Sequence, residues 1–214
     1  MMNFDEFLQL WRLSSRRTRS ELDYRLFQRY QAKLVLKYLR RYGVDIVGQR
    51  VLDMGSGIGG YSLEMAQQGA RVFGLDLMQP LRQPDMYNYM VIGDALRVPI
   101  CDDAFDFVFC ASLIEHIAAP EMLLTEIKRV LVQGGYCYLS FPPFYSPMGG
   151  HEFSPFHYLG DSIALRLKGS GKRVIPWVDE LYKISRDPQS FTDIYENWGL
   201  YRMTVAKAHR LIQA

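Results

Sequence analysis

The sequence predicts an α/β fold in which a doubly wound, mostly parallel sheet of six or seven strands is covered by helices on both faces. Three observations carry this prediction. Short apolar runs alternate with amphipathic segments from residue 50 onward, a glycine-rich turn follows the first apolar run, and aspartates follow three successive runs. Ligands of such sheets bind at the carboxyl ends of the strands, near the point where strand order reverses.

Composition narrows the class of protein. The chain has 214 residues, 49% hydrophobic and 22% charged, which suits one globular core and disfavours disorder or coiled coil. It contains no apolar run of the roughly 18–20 residues that a membrane helix needs, and acidic Asp5 and Glu6 stand where a secretion signal would be basic and then apolar. Three cysteines without a C-x-x-C pair favour a reducing compartment. We therefore expect a cytoplasmic protein without a transmembrane segment.

The first 45 residues are predicted to form a helical extension, and residues 46–214 the main domain. Residues 1–50 hold eleven Lys and Arg against five acidic residues, but the basic positions lack the interleaved aromatics of a nucleic-acid surface, so no nucleic-acid partner is expected. Apolar side chains recur every four residues over 20–41, which predicts an amphipathic helix. We expect two helices within residues 1–41, the longer one closing over the ligand-binding edge of the sheet.

The remaining elements are predicted in order along the chain. Strands are expected at 51–54, 70–75, 89–92, 105–110 and 136–141, with helices at 62–68 and 120–131, the second closed by Gly134 and Gly135. Residues 142–188 are rich in Pro, Gly and aromatic side chains, and this composition predicts a lid-like insertion after the fifth strand. A helix at 190–198 and a strand at 200–206 complete the expected order.

The glycine-rich turn fits two ligand classes. Gly55, Gly57 and Gly60 satisfy the G-x-G-x-x-G pattern of dinucleotide sites. The same stretch also satisfies D-x-G-x-G-x-G at Asp53, Gly55, Gly57 and Gly59. A carboxylate at Asp53 would repel a pyrophosphate, whereas S-adenosylmethionine (SAM) carries an ammonium and a sulfonium and no phosphate. The turn therefore favours SAM.

Two further acids extend this prediction. Asp76 ends the second predicted strand, where a carboxylate can accept hydrogen bonds from both ribose hydroxyls. Asp94 follows the third strand, at a place suited to the adenine amino group. A single aspartate after a strand is often a turn former, but three in register with a glycine loop indicate a nucleoside site.

Residues 50–141 resemble a class I SAM-dependent methyltransferase of the methyltransferase-11-like kind, which has a Rossmann-like sheet. The resemblance is carried by the glycine loop, by residues 105–117 with their Glu-His-apolar turn, and by the turn at 131–136. It implies methyl transfer from SAM, with cofactor contacts at Asp53, Gly55, Gly57, Gly59, Asp76, Leu77, Asp94, Ala95 and Ala111.

Two departures from the family pattern matter. Pro80 and Pro84 should reduce the helix after the second strand to a turn or two. Only one strand signal precedes the C-terminus, so we expect six strands or a stub of the seventh, with an edge shielded by basic residues or paired in a homodimer. These departures leave open an alternative function, a catalytically silent SAM-binding regulatory protein of the same fold.

The catalytic candidates are three histidines, His116, His151 and His157. A base is needed only if the acceptor must lose a proton, and His116 serves equally well as a residue that fixes the turn after the fourth strand. His151 and His157 lie in the lid-like region, without the H-E-x-x-H spacing of a zinc site and with Ser154-Pro155 between them. We therefore predict no metal, and a small or lipid-linked methyl acceptor that receives the methyl group by in-line displacement.

Overall fold

The computed structural model describes residues 2–78, 90–169, 189–195 and 198–213. The chain forms two compact units. The first consists of residues 1–110 and 126–138, and the second of residues 111–125 and 139–214. The sheet and the glycine loop belong mainly to the first unit.

In the part of the chain that the structure describes, the sheet contains five strands in the order β3-β2-β1-β4-β5. They are β1 Arg50–Met54, β2 Arg71–Asp76, β3 Met90–Ile92, β4 Phe105–Ala111 and β5 Leu131–Ser140. β1 pairs in parallel with both β2 and β4, and β2 pairs in parallel with β3. The chain therefore runs outward from β1 to β3 and then returns to β4 on the other side of β1. This reversal of strand order confirms the predicted α/β fold with a parallel sheet.

Within the described ranges, six helices accompany the strands. They are α1 Phe4–Arg16, α2 Glu21–Arg40, α3 Gly60–Gln67, α4 Pro120–Val130, α5 Asp161–Gly169 and α6 Val205–Gln213. Short 3₁₀ turns lie at Ile114–His116, His151–Phe153, Phe156–Leu159 and Phe191–Asp193. The two predicted N-terminal helices are thus confirmed. None of the helices in the described ranges has both the length and the apolar character that a membrane crossing requires.

The strand count differs from the prediction. Over the described residues the sheet has five strands and not six or seven, and the predicted strand at 200–206 is wrong because α6 begins at Val205. Thr204 caps this helix: its Oγ1 accepts a hydrogen bond from Lys207 N at 3.1 Å, and its carbonyl accepts one from Ala208 N at 2.9 Å. The Ala, Lys, Arg and Leu residues that follow are strong helix formers.

Other boundaries also differ. β5 begins at Leu131, so Gly134 and Gly135 lie inside the strand and do not end α4. In place of the predicted helix at 190–198, the described residues form a 3₁₀ turn at Phe191–Asp193. The start of the predicted lid is 3₁₀ turns followed by the regular helix α5. Its remainder, 170–188, and the shortened helix expected within 77–89 fall largely outside the described residues.

The core of each unit is apolar. In the first unit, Leu52, Met54 and Phe107 are almost fully buried within the sheet. The second unit has its own cluster, formed by Phe144, Phe153, Ala164, Phe191, Ile194, Tyr195 and Leu200. The region expected to be a lid therefore contributes to a packed core of its own.

Candidate functional sites

The glycine loop between β1 and α3 needs its glycines for conformation. Gly55, Gly57 and Gly59 have φ of 78°, 51° and 74°, values that residues with a side chain rarely adopt. A Cβ placed on Gly57 would meet nothing within 4 Å. The space beside Gly57 is therefore open, and the loop backbone can approach a ligand closely.

Asp76 joins the end of β2 to this loop. Its carboxylate accepts a hydrogen bond from Gly57 N at 2.8 Å and another from Met78 N at 3.1 Å. Burial raises the pKa of Asp76, and the hydrogen bonds from backbone amides oppose that rise. The acid predicted to meet the ribose thus lies beside the glycine loop.

Asp53 is the most buried of the predicted acids. Asp53 is 1% exposed, and the Ser62 hydroxyl donates a hydrogen bond to its carboxylate. Burial raises the pKa of Asp53 to about 7, the Ser62 hydrogen bond acts against this, and the charge of Asp76 adds to it. A cationic group nearby would favour the ionised form.

The other predicted contacts are more dispersed. Asp94 is exposed, and its Oδ1 accepts a hydrogen bond from Leu96 N at 2.8 Å, so it also shapes the turn after β3. Ala95 is buried and Leu77 is exposed. Ala111 is the buried last residue of β4 and belongs to the second unit. The structure thus brings Asp76 against the loop and leaves Asp94 in a turn.

Helix α2 packs on the glycine loop through polar side chains that sequence reasoning missed. Arg25 Nε donates a hydrogen bond to Ile58 O at 3.3 Å. A Cβ on Gly60 would lie 2.5 Å from Gln28 Cβ and 2.8 Å from Arg25 O, so only glycine permits this approach. The predicted apolar stripe is partly exposed instead, with Leu22 at 62%. No apolar periodicity could have indicated a buried face that carries Arg25 and Gln28.

In the second unit, Glu115, His116 and His151 form a group whose possible ligand atoms lie within 4.8 Å of one another. Glu115 Oε1 lies 4.0 Å from His116 Nε2 and 3.8 Å from His151 Nε2. Burial raises the pKa of Glu115 to about 8. Burial and the charge of His151 together lower the pKa of His116 well below its usual value. The rings of His116 and Trp198 also lie nearly perpendicular to each other, with 4.3 Å between their centroids. Sequence reasoning named the two histidines but not Glu115 as a site residue.

His157 lies elsewhere in the second unit. It is 1% exposed, and its ring contacts Phe144 at 5.4 Å and Tyr158 at 4.0 Å between centroids. A Cβ on Gly150 would come within 2.2 Å of this ring. Of the three predicted catalytic histidines, the structure therefore brings together His116 and His151, and it packs His157 among aromatic side chains.

Comparisons with known proteins agree on one class. Residues 52–139 match the family model described as a methyltransferase domain. A protein of Mycobacterium leprae named as an uncharacterized methyltransferase is 32% identical over 140 residues, which cover 59% of this chain and 49% of that protein. A protein of the same description from Mycobacterium bovis is 32% identical over 136 residues, covering 59% of this chain and 52% of that protein.

A solved SAM-dependent methyltransferase of Methanosarcina mazei has a similar fold. Its TM-score is 0.53 at 20% identity, and the match covers 82% of each chain. The chain spans about half the length of the curated relatives it matches. Residues 52–139 are therefore similar to methyltransferase domains.

Proposed function

We propose that this protein transfers a methyl group from SAM to a small-molecule or lipid-linked acceptor by in-line displacement. The observation that carries the proposal is the hydrogen bond from Gly57 N to the Asp76 carboxylate, because it sets a carboxylate beside an open glycine loop. The methyltransferase domain match supports the same reaction.

The residues of the first unit fit SAM. The open space at Gly57 would accept a ligand against the backbone, and Asp76 offers carboxylate oxygens to ribose hydroxyls. Asp53 and Asp76 make the loop acidic, which suits a cationic ligand and opposes a pyrophosphate. Arg25, which lies near the loop, is already paired with Glu21 at 2.6 Å. This charge balance favours SAM over a dinucleotide.

SAM, when bound, supplies a methyl group already activated on a cationic sulfur. The methyl–sulfur bond breaks as the acceptor–methyl bond forms, and the sulfonium becomes a neutral thioether. The chain then needs to hold the acceptor in line and exclude water. It must also remove a proton where the acceptor carries one.

The predicted catalytic histidines differ in how well they are placed to accept a proton from the methyl acceptor. His151 is partly exposed, with 22% of its side chain accessible, whereas His157 is buried among aromatic rings. His116 is held by a hydrogen bond to a backbone carbonyl, which suits a positioning role. Of the three, His151 therefore has the side chain most accessible to a molecule from solution.

A methyl-transfer screen tests the proposal. Purified protein is incubated with SAM radiolabelled on the methyl group and with aqueous and organic extracts of cells, so that the phase of any labelled product separates small from lipid-linked acceptors. We expect label to enter a product with the wild type and to be strongly reduced with Asp76→Ala. Asp5→Ala, which removes an exposed carboxylate on α1, is the matched control and should retain the wild-type rate.

Two outcomes would overturn the proposal in different ways. Measurable SAM binding without labelled product in any extract would favour the silent regulatory protein. Absence of SAM binding would refute both readings, since each depends on the same glycine loop.

A further inference from the structure

Among the described residues, the Glu115 side chain has no hydrogen-bonding partner although it is buried. Glu115 is 1% exposed, and across the described ranges neither of its oxygens accepts a hydrogen bond from another residue. A buried carboxylate left in this state is costly unless it is paired or coordinates a metal. The ionised form of Glu115 would therefore need a positively charged partner.

His116 is oriented as a metal-ligating histidine is. Its Nδ1 lies 2.8 Å from Gly199 O, and because a carbonyl can only accept, Nδ1 carries the proton. Nε2 is then the nitrogen with the free electron pair. Metal-ligating histidines commonly donate the other ring N–H to a backbone carbonyl in this way, which fixes the tautomer and the ring plane.

The carbonyl that orients His116 is itself held in place. Leu200 N donates to Phe191 O at 2.7 Å, and Tyr201 N donates to Glu115 O at 2.7 Å. A Cβ on Gly199 would lie 2.4 Å from Thr192 O, so the chain can pass there only as glycine. Residues 199–201 thus position Glu115 and His116 together.

His151 completes the set from a different segment of the second unit. Its Nε2 is 3.8 Å from Glu115 Oε1, and the Nε2 of His116 is 4.0 Å from the same oxygen. Ligand atoms about 2.0–2.2 Å from a tetrahedral ion stand about 3.4 Å apart. Small rotations of the three side chains would therefore bring them into coordination geometry.

We propose that Glu115, His116 and His151 bind one divalent first-row transition-metal ion, such as Zn²⁺ or Mn²⁺. A set of two imidazoles and one carboxylate binds such ions in preference to Mg²⁺, because Mg²⁺ prefers oxygen ligands. Three protein ligands leave at least one coordination position for an oxygen of water or of a bound molecule. This site was not expected from the sequence, and it is independent of whether SAM binds.

Calorimetric titration tests the site. The full chain, stripped of metal with a chelator, is titrated with Zn²⁺, Mn²⁺ and Mg²⁺ in separate experiments. We expect one Zn²⁺ or Mn²⁺ per chain and weaker binding of Mg²⁺. Glu115→Gln and His151→Ala should each weaken transition-metal binding at least tenfold, while His209→Ala, a control at an exposed histidine on α6, should leave it unchanged.

Circular dichroism of each variant shows whether it is folded, and Co²⁺ absorption of the wild type gives a second measurement that needs no variant. Intense visible bands of four- or five-coordinate Co²⁺ would support the site. Three results would each overturn it: no stoichiometric binding of Zn²⁺ or Mn²⁺, tighter binding of Mg²⁺, or equal loss of affinity in His209→Ala. The titration omits SAM, so failure here leaves the proposed methyl transfer standing.

Discussion

The glycine loop of the first unit and the Glu115-His116-His151 group of the second unit are built in opposite ways. The loop is one continuous stretch that uses backbone amides and positive φ angles, with Asp76 supplied by the next strand. The second group collects side chains from separate segments and depends on Gly199 for its geometry. Local sequence therefore specifies the first site, whereas only tertiary packing specifies the second.

The two sites also hold their charges differently. Asp53 is buried and accepts a hydrogen bond from Ser62, and the partly buried Asp76 accepts hydrogen bonds from Gly57 and Met78. Glu115 is as buried as Asp53 and lies at ion-pair distances from two histidines. The loop is thus largely satisfied by the chain itself, whereas the second group is arranged for an additional cation.

The largest expected effect concerns Asp53 and pH. Its pKa is about 7 in the folded chain against 3.8 ordinarily, so the folded state binds this proton more tightly than the unfolded state. The stability from this group is present below about pH 4 and is lost as pH rises to about 7. Relative to Asp53→Asn, which cannot titrate, the wild type should lose on the order of 3 kcal/mol of unfolding free energy across that range.

Denaturant unfolding of both proteins at pH 4, 5.5 and 7 measures this difference. If the unfolding free energies of the wild type and Asp53→Asn changed with pH in the same way, Asp53 would not be buried as the structure has it. The contrast between the hydrogen-bonded acids of the loop and the Glu115 group would then be wrong.

The next effect concerns Asp76. Asp76→Ala removes the acceptor of the Gly57 amide and the carboxylate that we propose binds the ribose hydroxyls. We expect it to weaken SAM binding by about 2–3 kcal/mol without unfolding the chain. Isothermal titration gives the dissociation constant, and a thermal melt checks folding. Asp5→Ala serves as the control. An unchanged dissociation constant would show that β2 does not contribute to the cofactor site.

Two glycine substitutions with smaller expected effects distinguish the packing of α2 on the loop from the backbone conformation of the loop. Gly60→Ala pushes a methyl group against Gln28 and the Arg25 carbonyl; overpacking costs about 1–3 kcal/mol and the better helix propensity of Ala returns about 1 kcal/mol. We expect a net loss of up to about 2 kcal/mol in the free energy of unfolding, together with faster hydrogen exchange in α2.

Gly57→Ala is the matched variant, because it strains φ where a Cβ meets nothing. It should leave exchange in α2 as it is in the wild type. Equal exchange in α2 for both variants would argue that α2 does not rest on the loop.

These contrasts explain how far the sequence predicts the structure. Strands β1, β2 and β4 and the loop between β1 and α3 were predictable because apolar runs and glycine patterns are local signals. The prediction of a C-terminal strand at 200–206 was wrong because the Thr204 cap and the helix formers that follow it begin α6 at Val205. The packing face of α2 was missed because Arg25 and Gln28 are polar, and buried polar residues leave no periodic signal.

The Glu115 group shows a different limit. The Glu-His-apolar turn was visible in the sequence, but the approach of His151 depends on how the second unit packs, and no spacing rule connects residues 116 and 151. The H-E-x-x-H pattern considered from sequence would place ligands on one helix, whereas the structure uses two 3₁₀ turns.

The most direct test of the central claim, that the acidic glycine loop is a SAM site, is a titration of the wild-type chain with S-adenosylhomocysteine and, separately, with NAD. S-adenosylhomocysteine shares the nucleoside and the ammonium of SAM and cannot react. We predict saturable binding of S-adenosylhomocysteine with one site per chain, weakened in Asp76→Ala, and no measurable binding of NAD. Binding of NAD without binding of S-adenosylhomocysteine would contradict the account.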